Sequence, residues 1–282
     1  MMNSEFLIVT NGFKGTWPAI EYGAWLAAAM KVKVTLLGVT ENQNFAAIDD
    51  HGPLEEIFQR AVGLFQQTGV EHTLEVQNGD AERIVTEKAN RGDFITIVSR
   101  LGRPQLRRWL TGRSIRHLME SIQGPILYVP EARLPLKKIL ISIGGIGYEV
   151  AAENLAFDFA KAIGAEVTIM HVVPPTNLDY PSTRDIREHV NDLAQTNTLP
   201  GRGLRTALEI AQQEGLKANV TARQGQIVEE ILAEVKEGNY DMVCMGSPYS
   251  ASGLRQFYGP NVTAEIAEAV HRPVLIARYK RE

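Results

Sequence analysis

The sequence predicts an α/β protein made of two tandem, doubly wound domains, each built on a five-stranded, mainly parallel sheet. Two observations carry that prediction. Short apolar runs alternate with segments of helical period, and the whole alternation is stated twice along the chain. Runs such as FLIVT (6–10) and ILISI (139–143) are almost wholly apolar, as suits strands covered on both faces.

In the first half, strands fall at 6–10, 33–39, 72–77, 93–98 and 126–129, with helices at 17–30, 53–68, 80–90 and 113–122. Ile115, Leu118, Met119 and Ile122 recur on one face of the last helix. The second half repeats the plan. FLIVTNG (6–12) matches ILISIGG (139–145), and KVTLLGV (33–39) matches EVTIMHV (166–172) at the same offset. QNGDAERIVTEKANRGDFITIVSR then matches RQGQIVEEILAEVKEGNYDMVCMG, and GPILYVP matches RPVLIAR. The register slips once, around PPTNLDYPSTRDIREHVNDLAQTNTLPGRG, where the second half is longer. The proline-bearing stretch VPEARLPLKK marks the joint, giving domains at 1–132 and 137–282 with a linker at about 130–137.

Composition narrows the class. The chain has 282 residues, 44% hydrophobic and 22% charged, which is ordinary for a soluble globular protein. A net charge of −4 argues against a general nucleic-acid binder. The single Cys244 excludes an intrachain disulfide and fits a reducing compartment. The opening MMNSEFLIVTNGFKG lacks the basic start of a signal peptide, and no apolar run reaches the length of a membrane helix. The expectation is a cytoplasmic protein with no membrane partner.

In doubly wound sheets, ligands bind beyond the carboxyl ends of the strands, where the winding direction reverses. In the first half, strand four runs into SRLGRPQLRRWLTGRSIRH (99–117), which carries Arg100, Arg103, Arg107, Arg108, Arg113 and Arg116 and no acid. Gly102 and Gly112 allow close backbone approach, a helix begins near Arg113, and Ser114 adds a hydroxyl. Arg103 and Arg113 flank the glycines as bidentate donors for phosphate oxygens. The second half offers Gly246, Ser247, Gly259 and a helix from about Asn261, with fewer cations. A solvated or interface role for the arginines stands beside the phosphate reading, with Arg107, Arg108 and Arg116 assigned to the surface.

These residues resemble the universal stress protein family, over nearly the whole chain as two tandem domains. Family members that bind ATP carry G-x2-G-x9-G-[ST] after strand four and an Asp after strand one. Here the loop reads Ser99-x2-Gly102-x9-Gly112-Arg113 in the first half and Gly246-x2-Tyr249-x9-Gly259-Pro260 in the second. Asn11 and Gly144 stand at the strand-one position, so both sites are degenerate. The resemblance implies flavodoxin-like, adenine-nucleotide α-hydrolase-like domains. It places a nucleotide against Asn11 and Gly12 in the first half and Gly145 in the second, its adenine on the backbone at Val39 or Val172. The cofactor implied is ATP or AMP, with Mg accompanying ATP. It also implies a pseudo-dimer packed through the terminal strands 126–129 and 273–278, to which a homodimer of the whole chain could be added.

Catalysis finds no support in the residues. SIGGIGYE (142–149) lacks the third small residue of a dinucleotide loop, and no GxxxxGK[ST] occurs. His51, His72, His117, His189 and His271 lack metal-ligand spacing, and Asp93 and Asp241 precede strand four, at its wrong end. His171 ends strand two near the expected pocket, and Cys244 lies inside an apolar run. The reading is a nucleotide-responsive module of stress adaptation, with weak ATP hydrolysis at most. Its alternative is a ligand-free adaptor whose sites have decayed.

Overall fold

A computed structural model describes residues 4–40, 54–101, 114–144, 150–175, 186, 188–247 and 262–278. The chain divides into two compact units, Met1–Leu134 and Pro135–Glu282. Unit 1 holds strands β1 (Glu5–Thr10), β2 (Val34–Thr40), β3 (His72–Asn78), β4 (Phe94–Val98) and β5 (Ile126–Tyr128). Its helices are α1 (Trp17–Met30), α2 (Leu54–Thr68), α3 (Ala81–Arg91) and α4 (Ser114–Ser121). Unit 2 holds β6 (Lys138–Ser142), β7 (Glu166–Val173), β8 (Ala218–Gln224), β9 (Met242–Ser247) and β10 (Val274–Arg278). Its helices are α5 (Val150–Ile163), α6 (Leu199–Gln213), α7 (Ile227–Gly238) and α8 (Val262–Ala269), with a 3-10 turn at Val190–Gln195.

All described pairings are parallel, and the strand order within unit 1 is β3-β2-β1-β4-β5. Unit 2 repeats it as β8-β7-β6-β9-β10. This order refines the expected fold: winding reverses between the first and fourth strands of each unit, whereas flavodoxin's own order is 2-1-3-4-5. The apolar composition of β1 follows from its central place, with Phe6, Leu7, Ile8 and Val9 all 0% exposed.

Local chemistry sets the element ends. Asp80 caps α3 by accepting from the Arg83 N–H at 2.8 Å, and Thr198 caps α6 by accepting from the Gly201 N–H at 3.2 Å. Lys31 and Asn239 close α1 and α7 in left-handed backbone, at φ 56° and 50°. At the amino end of unit 2's sheet, one carboxylate oxygen of buried Asp241 accepts from the N–H groups of Lys137 (2.9 Å) and Lys138 (3.0 Å).

Arg223, on β8, clasps α7. Its guanidinium donates to Glu230 (2.7 Å), Glu234 (3.1 Å) and Glu237 (2.8 Å), and Tyr240 donates to Glu234 at 3.0 Å. The hydrogen bond from Arg223 holds the Glu237 carboxyl below its usual range. Burial pushes the Tyr240 phenol up to about 12 from 10.0. A neutral phenol favoured by the fold stabilises it up to the unfolded value and loses that contribution as pH rises further. Between pH 10.0 and about 12, unit 2 is therefore expected to weaken more steeply in the wild type than in Tyr240→Phe. Denaturant midpoints measured across that window check this.

Candidate functional site

The reversal of winding in unit 1 lies between β1 and β4. The β1–β2 ladder ends at Thr10↔Gly38 and the β1–β4 ladder at Ile8↔Ile97, so the chain leaves the sheet past Thr10 and past Val98 on either side of the reversal, where doubly wound sheets open a crevice. Asn11 and Gly12 follow β1 there, with Gly12 at φ 84°, a conformation that favours glycine. A relay of hydrogen bonds shapes this loop. The Gly12 N–H donates to the Thr10 hydroxyl at 3.3 Å, the Thr10 and Thr16 hydroxyls pair at 2.6 Å, and Thr16 donates to the Phe13 carbonyl at 2.7 Å.

Ser99 lies on the other side of the reversal. Its hydroxyl donates to the Gly15 carbonyl at 2.8 Å, joining the segment after β4 to the loop after β1. Gly15 permits the approach, since a Cβ there would lie 3.2 Å from the Arg100 carbonyl oxygen. Thus the residue at the first glycine position of the resemblance uses its side chain inside the protein. Val39 sits one residue beyond the last β1 rung while remaining paired to Gln77 of β3. The expected base-binding backbone and the expected strand-one residues accordingly share one end of the sheet.

In unit 2 the same end is formed by β6 and β9, whose last paired residues are Ser142 and Met245. Val172 overhangs the β6 ladder and pairs with Arg223 of β8. His171, 8% exposed, has Nδ1 2.9 Å from the Ile143 carbonyl oxygen, which accepts its proton. Gly246 is part-buried, and Ser247 ends β9 opposite Arg278. Ser114 is the first residue of α4. Gly102, Arg103, Gly112, Arg113, Gly145, Gly259 and Asn261 lie outside the described residues, as does the remainder of the arginine stretch from Pro104 to Leu110.

Sequence reasoning missed two features. One is the Ser99–Gly15 link, whose only sequence signal is a serine in place of a glycine. The other is Glu153, buried at 6% exposure in the first turn of α5, where the helix dipole favours a negative charge. Asp241 is spent on main-chain N–H groups at the opposite end of the sheet. Cys244 is fully buried, and desolvation pushes its thiol pKa well up, so the thiolate is disfavoured. Among the described residues, no group of three or more His, Cys, Asp or Glu side chains could hold a metal, and no helix is long and apolar enough to cross a membrane.

Comparison with known proteins agrees with this architecture. The model of the universal stress protein family matches residues 135–278, just over half of the chain. Universal stress protein YxiE of Bacillus subtilis is 29% identical over 147 residues, covering 50% of this chain and 98% of YxiE. Universal stress protein Slr1230 of Synechocystis is 21% identical over 308 residues, covering 97% of this chain and 99% of Slr1230. Among solved structures, a universal stress protein from Archaeoglobus fulgidus superposes with a TM-score of 0.72 at 17% identity, covering 99% of both chains. A duplicated α/β sheet of this order defines a tandem protein. The chain belongs to the universal stress protein family.

Proposed function

We propose that the protein is a nucleotide-binding regulatory module of stress adaptation, acting in the cytoplasm without catalysing a reaction. What supports the reading is one arrangement in unit 1: Asn11 and Gly12 past β1 and Ser99 past β4 stand at the reversal of winding, and Val39 overhangs at the same end of the sheet on the neighbouring β2. The ligand is ATP, accompanied by Mg, or AMP, with Arg103 and Arg113 as phosphate donors. In unit 2, Val172, Gly246 and Ser247 occupy the corresponding places, and Gly145, Gly259 and Asn261 complete that set in sequence. Neither nucleic acid nor a membrane is a partner in this reading, and a homodimer of tandem chains is compatible with it.

A second reading has its own observation. The Ser99–Gly15 hydrogen bond ties the two sides of the unit 1 reversal together, as a decayed pocket in a ligand-free adaptor would allow.

Native mass spectrometry of freshly purified protein, followed by thermal shift with ATP and AMP, separates the two. A nucleotide bound to the native state stabilises it by about 2.7 kcal/mol at a hundredfold excess over Kd, and the melting temperature rises accordingly. The expected result is such a shift in the wild type and its loss in Gly112→Val and Arg113→Glu. An empty protein without a shift favours the adaptor, and a shift retained in both variants rules out this phosphate site.

A further inference from the structure

The two units differ at the end of the sheet where the winding reverses. Ile8 pairs with Ile97 in unit 1 and Ile141 with Cys244 in unit 2, and the 14-residue helices α1 and α5 begin at Trp17 and Val150. On that register Thr10 matches Ile143, Asn11 matches Gly144, Ile20 matches Glu153 and Ser99 matches Gly246.

In unit 1 the hydroxyls of Thr10, Thr16 and Ser99 brace the loop after β1. Thr10 and Thr16, both 0% exposed, pair with each other and hold the Gly12 N–H and the Phe13 carbonyl from within. Ser99, 2% exposed, reaches the same loop from the end of β4 through its bond to the Gly15 carbonyl. A loop already fixed in shape loses less freedom when a ligand settles on it. In unit 2, Ile143 has no hydroxyl and Gly246 has no side chain, so neither can supply such a brace. His171 holds the Ile143 carbonyl instead, one residue past β6. Gly144 offers main chain where Asn11 offers a side-chain amide. Glu153, 6% exposed, sets a carboxylate in the first turn of α5, where unit 1 has the fully buried hydrocarbon of Ile20. A carboxylate at that end of the sheet opposes a phosphate-bearing ligand through like charge.

We propose that the protein takes one nucleotide per chain, in unit 1, and that Ser99 is a positioning residue for it. Ser99 acts through the loop rather than on the ligand. Its bond fixes Gly15, and with Gly15 the course of the chain from Asn11 to Thr16. This inference rests on the nucleotide reading and adds to it which unit is loaded and what holds that unit ready.

The test titrates the full chain with ATP and Mg by calorimetry and follows hydrogen exchange with and without ATP. The expected result is one ATP per chain, with exchange slowed at 11–16 and unchanged at 143–144 and 171–173. Ser99→Ala should weaken ATP binding about tenfold, and should speed exchange at 11–16 before ATP is added. Gly15 is exposed, so water can take its carbonyl in that variant, and a melting curve confirms that the variant is folded. Two ATP per chain, or protection in unit 2, overturns the proposal and leaves the nucleotide reading standing. So does a Ser99→Ala chain with wild-type affinity and wild-type exchange at 11–16. A wild-type chain that shows neither heat nor protection with ATP overturns the nucleotide reading itself, and this proposal with it.

Discussion

Gly201→Val is expected to expel the 3-10 turn from unit 2 and to cost about 3 kcal/mol, the upper range for forcing atoms into a filled space. Gly201 is buried in the first turn of α6, under the chain of residues 193–196. A Cβ there would lie 2.8 Å from the Thr196 carbonyl oxygen, 2.5 Å from the Thr196 hydroxyl and closer still to the Leu193 carbonyl. Two of these neighbours are backbone atoms, which cannot rotate aside as the tip of a flexible side chain would. The valine must displace the turn or lift the helix. Displacement exposes Leu193 and breaks the Arg205 bonds to Ala194 and Thr196. Hydrogen exchange across 190–196 should accelerate strongly, with β1 and β4 unaffected. Unchanged protection of the turn would mean that the helix moves instead.

Asp241→Ala is the second substitution with a large expected effect, again about 3 kcal/mol and confined to unit 2. The carboxylate, 7% exposed, accepts two main-chain N–H groups at the start of β6, while its own N–H pairs with the Lys138 carbonyl. Hydrogen bonds to a charged group contribute about 1.5–3 kcal/mol each, and removing the acceptor leaves two donors without one. Asp241→Asn keeps a carbonyl oxygen at that place and should cost less than half as much. Urea unfolding of the three proteins checks the ranking, and exchange rates in β6 and β9 check the location. An alanine variant as stable as the wild type would mean that water replaces the carboxylate without loss.

The elements that read clearly from sequence are those with a local cause. Strands β1, β2, β4 and β6 are continuous apolar runs because both faces of a central parallel strand are covered, and α3 begins where Asp80 can cap it. Duplication helped, since each half tests the other. What escaped depended on partners distant in sequence. Nothing near Ser99 says that its hydroxyl will reach Gly15, and the slip in register before α6 does not announce a turn that buries Leu193. The exposure of Leu74 and Val76 was equally hidden, because they alternate with polar residues like any half-buried strand. For the candidate site, sequence placed Asn11, Gly12, Val39 and Val172 at the correct ends of their strands. That placement follows from topology alone and says nothing of ligand chemistry.

The central position of β1 also has a consequence for biosynthesis. Its neighbour β2 follows closely, but the other neighbour, β4, comes much later: Ser4 meets Asp93 across 89 residues, and Ser99 meets Gly15 across 84. In unit 2, Lys138 meets Asp241 across 103. A chain leaving the ribosome amino end first therefore carries an apolar strand with one edge unsatisfied for most of the time its unit is being made. Closing so long a loop is costly in entropy, and its reward comes only when the fourth strand arrives. Each half is thus exposed to chaperones and to self-association during synthesis, and the second half is exposed for the longer stretch of chain.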